Sequence, residues 1–187
     1  MKKSIAILFL IAVAVFSCNR PESKRENLQK SISEFSKKYT DLNIVTDYYP
    51  KVYTEVKTDS IIANTFKVSI RNYSKMDAQI LVGSETIATK TKLNYHRVFE
   101  SEIHVALASK TIFNTTINAE DFKNSLEPDF WNNATLEHVW VNQETSNETK
   151  INLSVSFINP KNKAYKLYEI SIDRLGKQHL KLTEEYS

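Results

Sequence analysis

The stretch Ile151-Asn152-Leu153-Ser154-Val155-Ser156-Phe157 decides the fold, because apolar and polar side chains alternate along it without interruption. A period of two places all the apolar side chains on one face of a β-strand and all the polar ones on the other. Strands with one buried and one wet face are typical of antiparallel sheets, whereas buried parallel strands are apolar throughout. The stretch therefore predicts a β-strand in an antiparallel sheet.

The same alternation recurs on the N-terminal and C-terminal sides, at residues 66–70 and 168–172. Further strands are predicted at residues 51–58, 78–82, 86–97, 98–108, 110–117, 135–143 and 177–184. Turn-forming residues separate many of these stretches, at Asn72-Tyr73-Ser74, Gly83-Ser84, Ser109-Lys110, Asn147, Asn159–Asn162 and Leu175-Gly176-Lys177. About eight to ten short strands at this spacing predict a mainly β fold, either an antiparallel β-sandwich or a small open barrel.

Two helices are expected beside the strands. Asn118 can cap one short inserted helix over Ala119–Leu126, and Pro128 then opens a tight turn that runs to Asn133. A possible N-terminal helix covers Glu26–Tyr39, where apolar residues recur every three or four positions and form one stripe. That stripe consists of Leu28, Ile32, Phe35 and Tyr39.

The first 18 residues combine a positive start, an apolar stretch and a cysteine. Lys2 and Lys3 precede 12 apolar residues at Ile5–Phe16, and Ser17 and Cys18 follow. A membrane-spanning helix needs about 20 apolar residues, so this stretch is too short to span but suits a signal peptide. Its end, Val15-Phe16-Ser17-Cys18, resembles the lipobox of bacterial lipoproteins in three of four places. The resemblance implies cleavage between Ser17 and Cys18 and a lipid on the Cys18 thiol.

Cys18 is the only cysteine, so the chain cannot form an internal disulfide, and lipidation gives this single exported thiol a role. We therefore expect a signal peptide at residues 1–17, a lipid-anchored tether at 18–27 and one β-rich domain at 28–187. The expected partner is a membrane, reached through the N-terminal lipid. In the lipoprotein sorting systems that the signal resembles, Asp after the cysteine retains the protein at the inner membrane. Asn19 at that position favours the outer membrane, facing the periplasm.

Composition argues against several other classes of protein. The chain has 25 basic and 22 acidic residues, and loss of Lys2 and Lys3 with a signal peptide leaves 23 basic residues and a charge of +1. The basic residues form no stripe that could follow a phosphate backbone, so no nucleic-acid partner is expected. Only two glycines are present, whereas phosphate-binding loops need several closely spaced ones. No nucleotide or other cofactor is therefore predicted.

The richest set of polar candidates lies at even positions between residues 96 and 104. On one regular strand His96, Glu100, Glu102 and His104 share a face, which invites a metal or acid–base interpretation. Eight residues of strand separate the two histidines by roughly 26 Å, so they cannot bind one ion unless the chain turns back between them. Glu102 and His104 could reach one ion, but a third ligand must then come from elsewhere. A solvated outer face is the simpler interpretation, and no metal site is predicted.

The remaining candidates are isolated in the sequence. His138 follows Glu137, and neighbours on a strand point to opposite faces, so they pair only through another strand. His179 is expected at the surface of the last strand, and Glu184 with Glu185 is a carboxylate pair in sequence only. The chain contains no Gly-x-Ser-x-Gly nucleophile motif. We therefore predict no catalytic residues.

Trp131 and Trp140 are possible ligand contacts. Exposed together in one concave patch, they could stack against a sugar or a peptide. Aromatic side chains of this size more often fill a core, which is the alternative prediction.

Several segments between residues 50 and 184 resemble a family of small lipoproteins of unknown function from anaerobic, gut-type Gram-negative bacteria. The resemblance implies a lipid-anchored, β-rich domain without an established activity, and it assigns no catalytic or binding residue. Its segments are Asn72-Tyr73-Ser74, Asp129-Phe130-Trp131, Val139-Trp140-Val141, Phe157-Ile158-Asn159-Pro160 and Tyr165-Lys166-Leu167-Tyr168.

The sequence thus predicts a lipid-anchored lipoprotein of the cell envelope whose β domain is a non-enzymatic binding or structural module. Two alternatives stay open: a glycan- or peptide-binding lipoprotein that uses exposed aromatic residues, and an envelope hydrolase. The hydrolase requires Glu100, Glu102, His104 or His138 to converge in one pocket.

Overall fold

The computed structural model describes residues 24–39, 43–88, 90–123 and 127–186, and the chain divides into two compact units, Met1–Asn43 and Ile44–Ser187. Helix α1 (Lys24–Tyr39) confirms the expected N-terminal helix and begins two residues earlier than predicted. Two members of its apolar stripe, Leu28 and Ile32, are exposed. Within the described ranges, no helix combines the length and the apolar character needed to cross a membrane. The predicted signal peptide and Cys18 lie outside those ranges.

The first sheet contains β1 (Asn43–Tyr49), β2 (Glu55–Ile62), β3 (Phe66–Ile87), β4 (Lys90–Leu107) and β5 (Lys110–Ile117). The strand order is β2-β3-β4, and both β1 and β5 pair with β4 on its other side. Pairing between β2 and β3, β3 and β4, and β4 and β5 is antiparallel. β1 was not predicted from the sequence.

The second sheet is an antiparallel meander whose strands follow one another in chain order. It contains β6 (Thr135–Val141), β7 (Lys150–Ile158), β8 (Tyr165–Asp173) and β9 (Gln178–Tyr186). A 3-10 turn (Ala119–Phe122) and the one-turn helix α2 (Pro128–Trp131) lie between the two sheets in the chain.

Side chains from both sheets form one hydrophobic core. The first sheet contributes apolar residues of β3 and β4, the second contributes β6, β7 and β8, and Trp131 of α2 lies among them. The mainly β prediction is confirmed, and two separate sheets around one core favour the sandwich over the open barrel. Fully buried members include Phe66, Ile70, Ile103, Val105, Leu136, Leu153, Val155, Phe157 and Ile172.

β7 confirms the predicted strand but corrects its predicted wet face. The alternating polar residues Asn152, Ser154 and Ser156 are buried, like their apolar neighbours. β7 lies between β6 and β8, and Asn152 Nδ2 donates to Thr145 O of the loop after β6 at 3.0 Å. Ser171 Oγ donates to Asn152 Oδ1 at 2.7 Å, and Ser156 Oγ donates to Glu137 Oε2 at 2.6 Å.

Two predicted turns are wrong. Asn72-Tyr73-Ser74 and Gly83-Ser84 both lie inside β3, a single strand of 22 residues. The predicted strand 86–97 is wrong, because β3 ends at Ile87, Ala88 has a positive φ and β4 begins at Lys90. The predicted break between residues 97 and 98 is also wrong, because β4 runs without interruption from Lys90 to Leu107. The pairing of β3 with β4 changes register at two places in this strand, between Ser74 and Gln79 and between Leu81 and Gly83.

The turns after β7 and β8 are confirmed. Asn159 Oδ1 accepts a hydrogen bond from Lys161 N at 3.0 Å, and Gly176 has a φ of +80°, which favours glycine. The inserted helix is shorter than predicted. Asn118 caps it through a reciprocal capping box with Asp121, but the turn ends at Phe122, and Leu126 lies outside the described residues.

Candidate functional site

Glu100 of β4 belongs to a cross-strand polar cluster with β3. Its carboxylate accepts hydrogen bonds from the Tyr73 hydroxyl at 3.0 Å and from Lys75 Nζ at 3.1 Å. Burial, and then the hydrogen bond to Glu100, raise the pKa of Tyr73 to about 12. Both Glu100 oxygens therefore have partners that hold the two strands together.

Glu102, two residues further along β4, forms a separate ion pair with Arg71 of β3. Arg71 Nε donates to Glu102 Oε2 at 3.1 Å, and a second guanidinium nitrogen bonds Oε1 of the same carboxylate. Arg71 also contacts Glu55 Oε2 of β2 at 3.4 Å, so one guanidinium links three strands. The hydrogen bond with Glu102 raises the pKa of Arg71. Opposite charges that pair across neighbouring strands in this way are typical of the solvent-facing side of a sheet.

The two histidines of β4 have different surroundings again. His104 Nε2 lies 2.9 Å from Thr111 Oγ1 on β5, whereas the His96 ring lies 5.5 Å from Tyr49 and 6.1 Å from Phe99, centroid to centroid. Burial lowers the pKa of His96. The four predicted candidates on β4 therefore do not converge. Across the described ranges, no three His, Cys, Asp or Glu side chains are grouped so that they could hold a metal ion.

The other titratable candidates are also held separately. Glu137 accepts from Ser156, and the His138 ring stacks on Trp140 at 6.0 Å. His179 is exposed on β9, as expected. Glu184 bonds Tyr165 and Glu185 bonds Lys166, so the two adjacent carboxylates face different partners.

The two tryptophans do not form the platform that ligand stacking requires. Trp131 is 1% exposed and packs among the Phe122, Phe130 and Phe157 rings, whereas Trp140 is 38% exposed. Val139 faces the core, so Trp140 projects from the other face of β6. Trp131 therefore fills the core, which was the alternative prediction for these two aromatic residues.

Sequence analysis missed Lys166, a buried cation at the start of β8. Its side chain is 7% exposed, and Nζ bonds Glu127 Oε2 at 2.8 Å and Glu185 Oε2 of β9. Burial lowers the pKa of Lys166, but the bonds to Glu127 and Glu185 outweigh it and the pKa is raised. A cleft of about 340 Å³ beside it also includes Phe130 and Tyr186. No signal in the sequence distinguishes this lysine from the exposed ones.

Arg97 is a second buried cation that sequence analysis missed. It donates from a terminal guanidinium nitrogen to Met76 O at 2.6 Å, and the guanidinium lies 4.0 Å above the Tyr48 ring. Arg97 thereby holds the irregular part of β3 against β1 and β4. Its odd position, shared with the core residue Ile103, was the one available signal that it points inward.

One largely apolar cleft opens between the two sheets. It measures about 400 Å³ and lies between β5 and the last two strands, so we call it the β5–β9 cleft. The tight turn at Gly176 comes close to β5 beside it, because a Cβ on Gly176 would lie 2.1 Å from Ile112 O. Apolar and polar side chains both line the cleft: Phe113, Ile117, Phe122, Ile170 and Leu180 are apolar, and Thr115, Thr116, Asp121 and Gln178 are polar.

No protein-family model matches the chain, and no curated protein is similar enough to be its relative. The segments on which the predicted family resemblance depends lie in β3, α2, β6, the end of β7 with the turn after it, and β8. They are parts of the sandwich framework.

Proposed function

We propose that this chain is a lipid-anchored lipoprotein of the cell envelope, and that its β domain is a non-enzymatic binding or structural module. The observation that carries the proposal is the order of 12 apolar residues, Ser17 and the single cysteine, Cys18. Acyl chains on Cys18 would contribute about 0.8 kcal/mol per buried methylene, so two or more chains would hold the protein at a membrane. The outer membrane, facing the periplasm, is the proposed location.

The arrangement of polar side chains supports a non-enzymatic role. Glu100, Glu102 and Glu137 each bond a residue on the neighbouring strand. A general acid or base must reach a reacting group in a cleft. Glu100 does line a cleft of about 530 Å³, but its two oxygens are already bonded to Tyr73 and Lys75. These contacts therefore stabilise the pairing of neighbouring strands.

Peptide binding is the second candidate function, favoured by the β5–β9 cleft. Its volume of about 400 Å³ falls within the range of ligand sites, and apolar side chains from both sheets line it. Trp140, exposed beside His138, is a second place where an aromatic surface is open to a partner.

Metabolic labelling with an alkyne fatty acid tests the anchor. We expect label on the wild-type chain and on Ser17→Ala, which keeps a small residue before the cysteine, but none on Cys18→Ala. Detergent-phase partitioning should follow the label. Equal labelling of Cys18→Ala and wild type, or an unlabelled wild type, would contradict the proposal.

A further inference from the structure

The cleft that Glu100 lines has an irregular wall, and we call it the bulge cleft. Where the pairing of β3 with β4 changes register after Ser74, residues 75–78 of β3 stand opposite residue 98 of β4 alone. Three of these four residues, Lys75, Asp77 and Ala78, line the cleft, whose volume is about 530 Å³. Bulges in a strand redirect side chains and are frequent beside functional sites.

A buried arginine holds the bulge in place. Arg97 is 8% exposed, and its Nη1 donates to Met76 O at 2.6 Å and to Gln79 Oε1 at 3.2 Å. Burial of a cation costs desolvation energy, and among the described residues the Nε of Arg97 has no hydrogen-bond partner. The fold therefore maintains the bulge at a cost. Locally costly features that the rest of a fold maintains are frequent at functional sites.

The link between the two sheets completes the bulge cleft. The 3-10 turn and its cap contribute Glu120 and Asn118, and α2 and its cap contribute Trp131 and Asn132. Trp131 is 1% exposed, and its Nε1 has no hydrogen-bond partner in the part of the chain that the structure describes. An unpaired buried N–H costs free energy, so a ligand acceptor that reaches it gains a hydrogen bond at little desolvation cost.

The charges of the bulge cleft argue against an anionic ligand. One lysine, Lys75, and the three carboxylates of Asp77, Glu100 and Glu120 line it, which gives a net charge of −2. Lys123 lies 3.7 Å from Glu120, and counting it still leaves −1. Phosphates and carboxylates are therefore repelled. Both Glu100 oxygens are bonded within the fold, so the exposed Asp77 carboxylate is an acceptor open to a ligand.

The hydrogen-bond donors of the bulge cleft argue against a simple cationic amine. The side-chain amides of Gln79 and Asn132 donate, as does the Trp131 indole, whereas an alkylammonium has no acceptor to offer them. A sugar hydroxyl donates and accepts at one atom, so it can pair with the carboxylates and with the N–H donors. Ile80 and Val98 add an apolar patch for the C–H face of a sugar ring.

We infer that the bulge cleft binds a short, uncharged saccharide, whose hydroxyls pair with the Asp77 carboxylate, the Asn132 amide and the Trp131 indole N–H. The inference rests on the proposed function and names the ligand class of the binding module. The volume of about 530 Å³ falls within the range of ligand sites.

The test uses the full chain with its own N-terminus, labelled with isotopic tryptophan, so that its NMR spectrum contains two indole N–H signals. Trp140→Phe removes one signal and thereby identifies that of Trp131. The probes are cellobiose, maltose, lactose, mannobiose and diacetylchitobiose. We expect titration with at least one of them to shift the Trp131 signal to saturation and to leave the Trp140 signal unchanged.

A substitution at Asp77 tests the position of the site. Asp77→Ala should weaken the affinity about tenfold or more, because it removes a charged acceptor. The matched control is Asp59→Ala, which removes an exposed carboxylate of β2 outside the cleft and should change the affinity less than about twofold. Both residues are exposed, so neither change should unfold the domain.

Four results would overturn the inference. They are equal effects of the two substitutions, a saccharide that leaves the Trp131 signal in place, no binding by any of the disaccharides, and a cleft that accepts spermidine or trialanine but no saccharide.

Fatty-acid labelling of Cys18 distinguishes failure of the inference from failure of the proposed function. A labelled chain whose Trp131 signal ignores every saccharide leaves the lipoprotein proposal standing and removes the saccharide site. An unlabelled chain that binds a saccharide through Asp77 does the reverse.

Discussion

Asn72 acts as a partner for a strand in the opposite sheet. Its carboxamide donates to Val139 O at 3.1 Å and accepts from Val139 N at 3.0 Å. It therefore satisfies two backbone groups at the free edge of β6, as a neighbouring strand would. Asn72 is 5% exposed and Val139 1% exposed, so water cannot easily replace either bond.

Asn72→Leu should lower the free energy of unfolding by about 2–4 kcal/mol, because it leaves a buried N–H and a buried C=O unpaired. Urea denaturation measures the change. Asn114→Leu, on the exposed face of β5, is the control and should stay within about 0.5 kcal/mol of wild type. Equal effects of the two substitutions would show that the Asn72 bonds do not hold the sheets together.

Lys166 is a buried cation whose stabilising effect depends on its two carboxylate partners. Lys166→Met keeps an apolar stem near the Phe130 ring and should cost less than about 1.5 kcal/mol. Glu127→Gln combined with Glu185→Gln leaves the ammonium buried without a carboxylate and should cost about 3 kcal/mol or more. Urea unfolding compares the two variants. The opposite order of stability would mean that the lysine contributes through its charge pair rather than its packing.

Tyr73 links stability to pH in the alkaline range. Its pKa is raised to about 12 in the folded chain, above the value of about 10 for an unfolded tyrosine. A group with a raised folded pKa contributes stability that is complete below pH 10 and is lost as the pH rises towards 12. Tyr73→Phe should therefore flatten the fall of the urea midpoint between those pH values. An unchanged slope would exclude Tyr73 as the source.

At the scale of elements, strands were more predictable than turns. Alternating side chains located most of the strands correctly, because burial of one face dominates their energetics. The structure places Ala63, Ala88 and Ala108 in turns with positive φ, a conformation in which glycine or asparagine is expected. Asn64 beside Ala63 and Ser109 beside Ala108 do carry a turn signal, whereas the Ala88 turn lacks glycine, proline and asparagine. Asn72 and Gly83, which do carry one, lie inside β3 because pairing with β4 outweighs local preference.

Alanine substitutions at the two glycines should have opposite effects on the stability of the fold. Gly176→Ala should cost about 3 kcal/mol or more, because φ is +80° and a Cβ would lie 2.1 Å from Ile112 O. Gly83→Ala meets open space within a strand and should be neutral or stabilising by up to about 1 kcal/mol. Thermal unfolding of both variants tests this contrast. Similar losses at the two positions would contradict the close approach of the Gly176 turn to β5.

At the scale of the whole molecule, the sequence predicted the class of fold but not the surfaces available to partners. Alternation fixes which side chains turn inward, and so it predicts one core between sheets. It does not reveal which strands lie at edges, so the position of β9 at the edge of its sheet and the exposure of Leu180 required the tertiary arrangement. Lys166 and Arg97 were missed for the same reason, since each is buried by residues distant in sequence.

The proposed anchor determines where every surface of the β domain acts. An acylated Cys18 would hold the domain beside a membrane, and any partner of the domain would then have to be a molecule of the cell envelope or its surroundings. The intact mass of the mature protein tests this claim most directly. We predict a chain that begins at Cys18 and carries the added mass of a diacylglycerol and an N-terminal acyl group. A mature chain that retains Met1, or that has an unmodified Cys18 thiol, would contradict it.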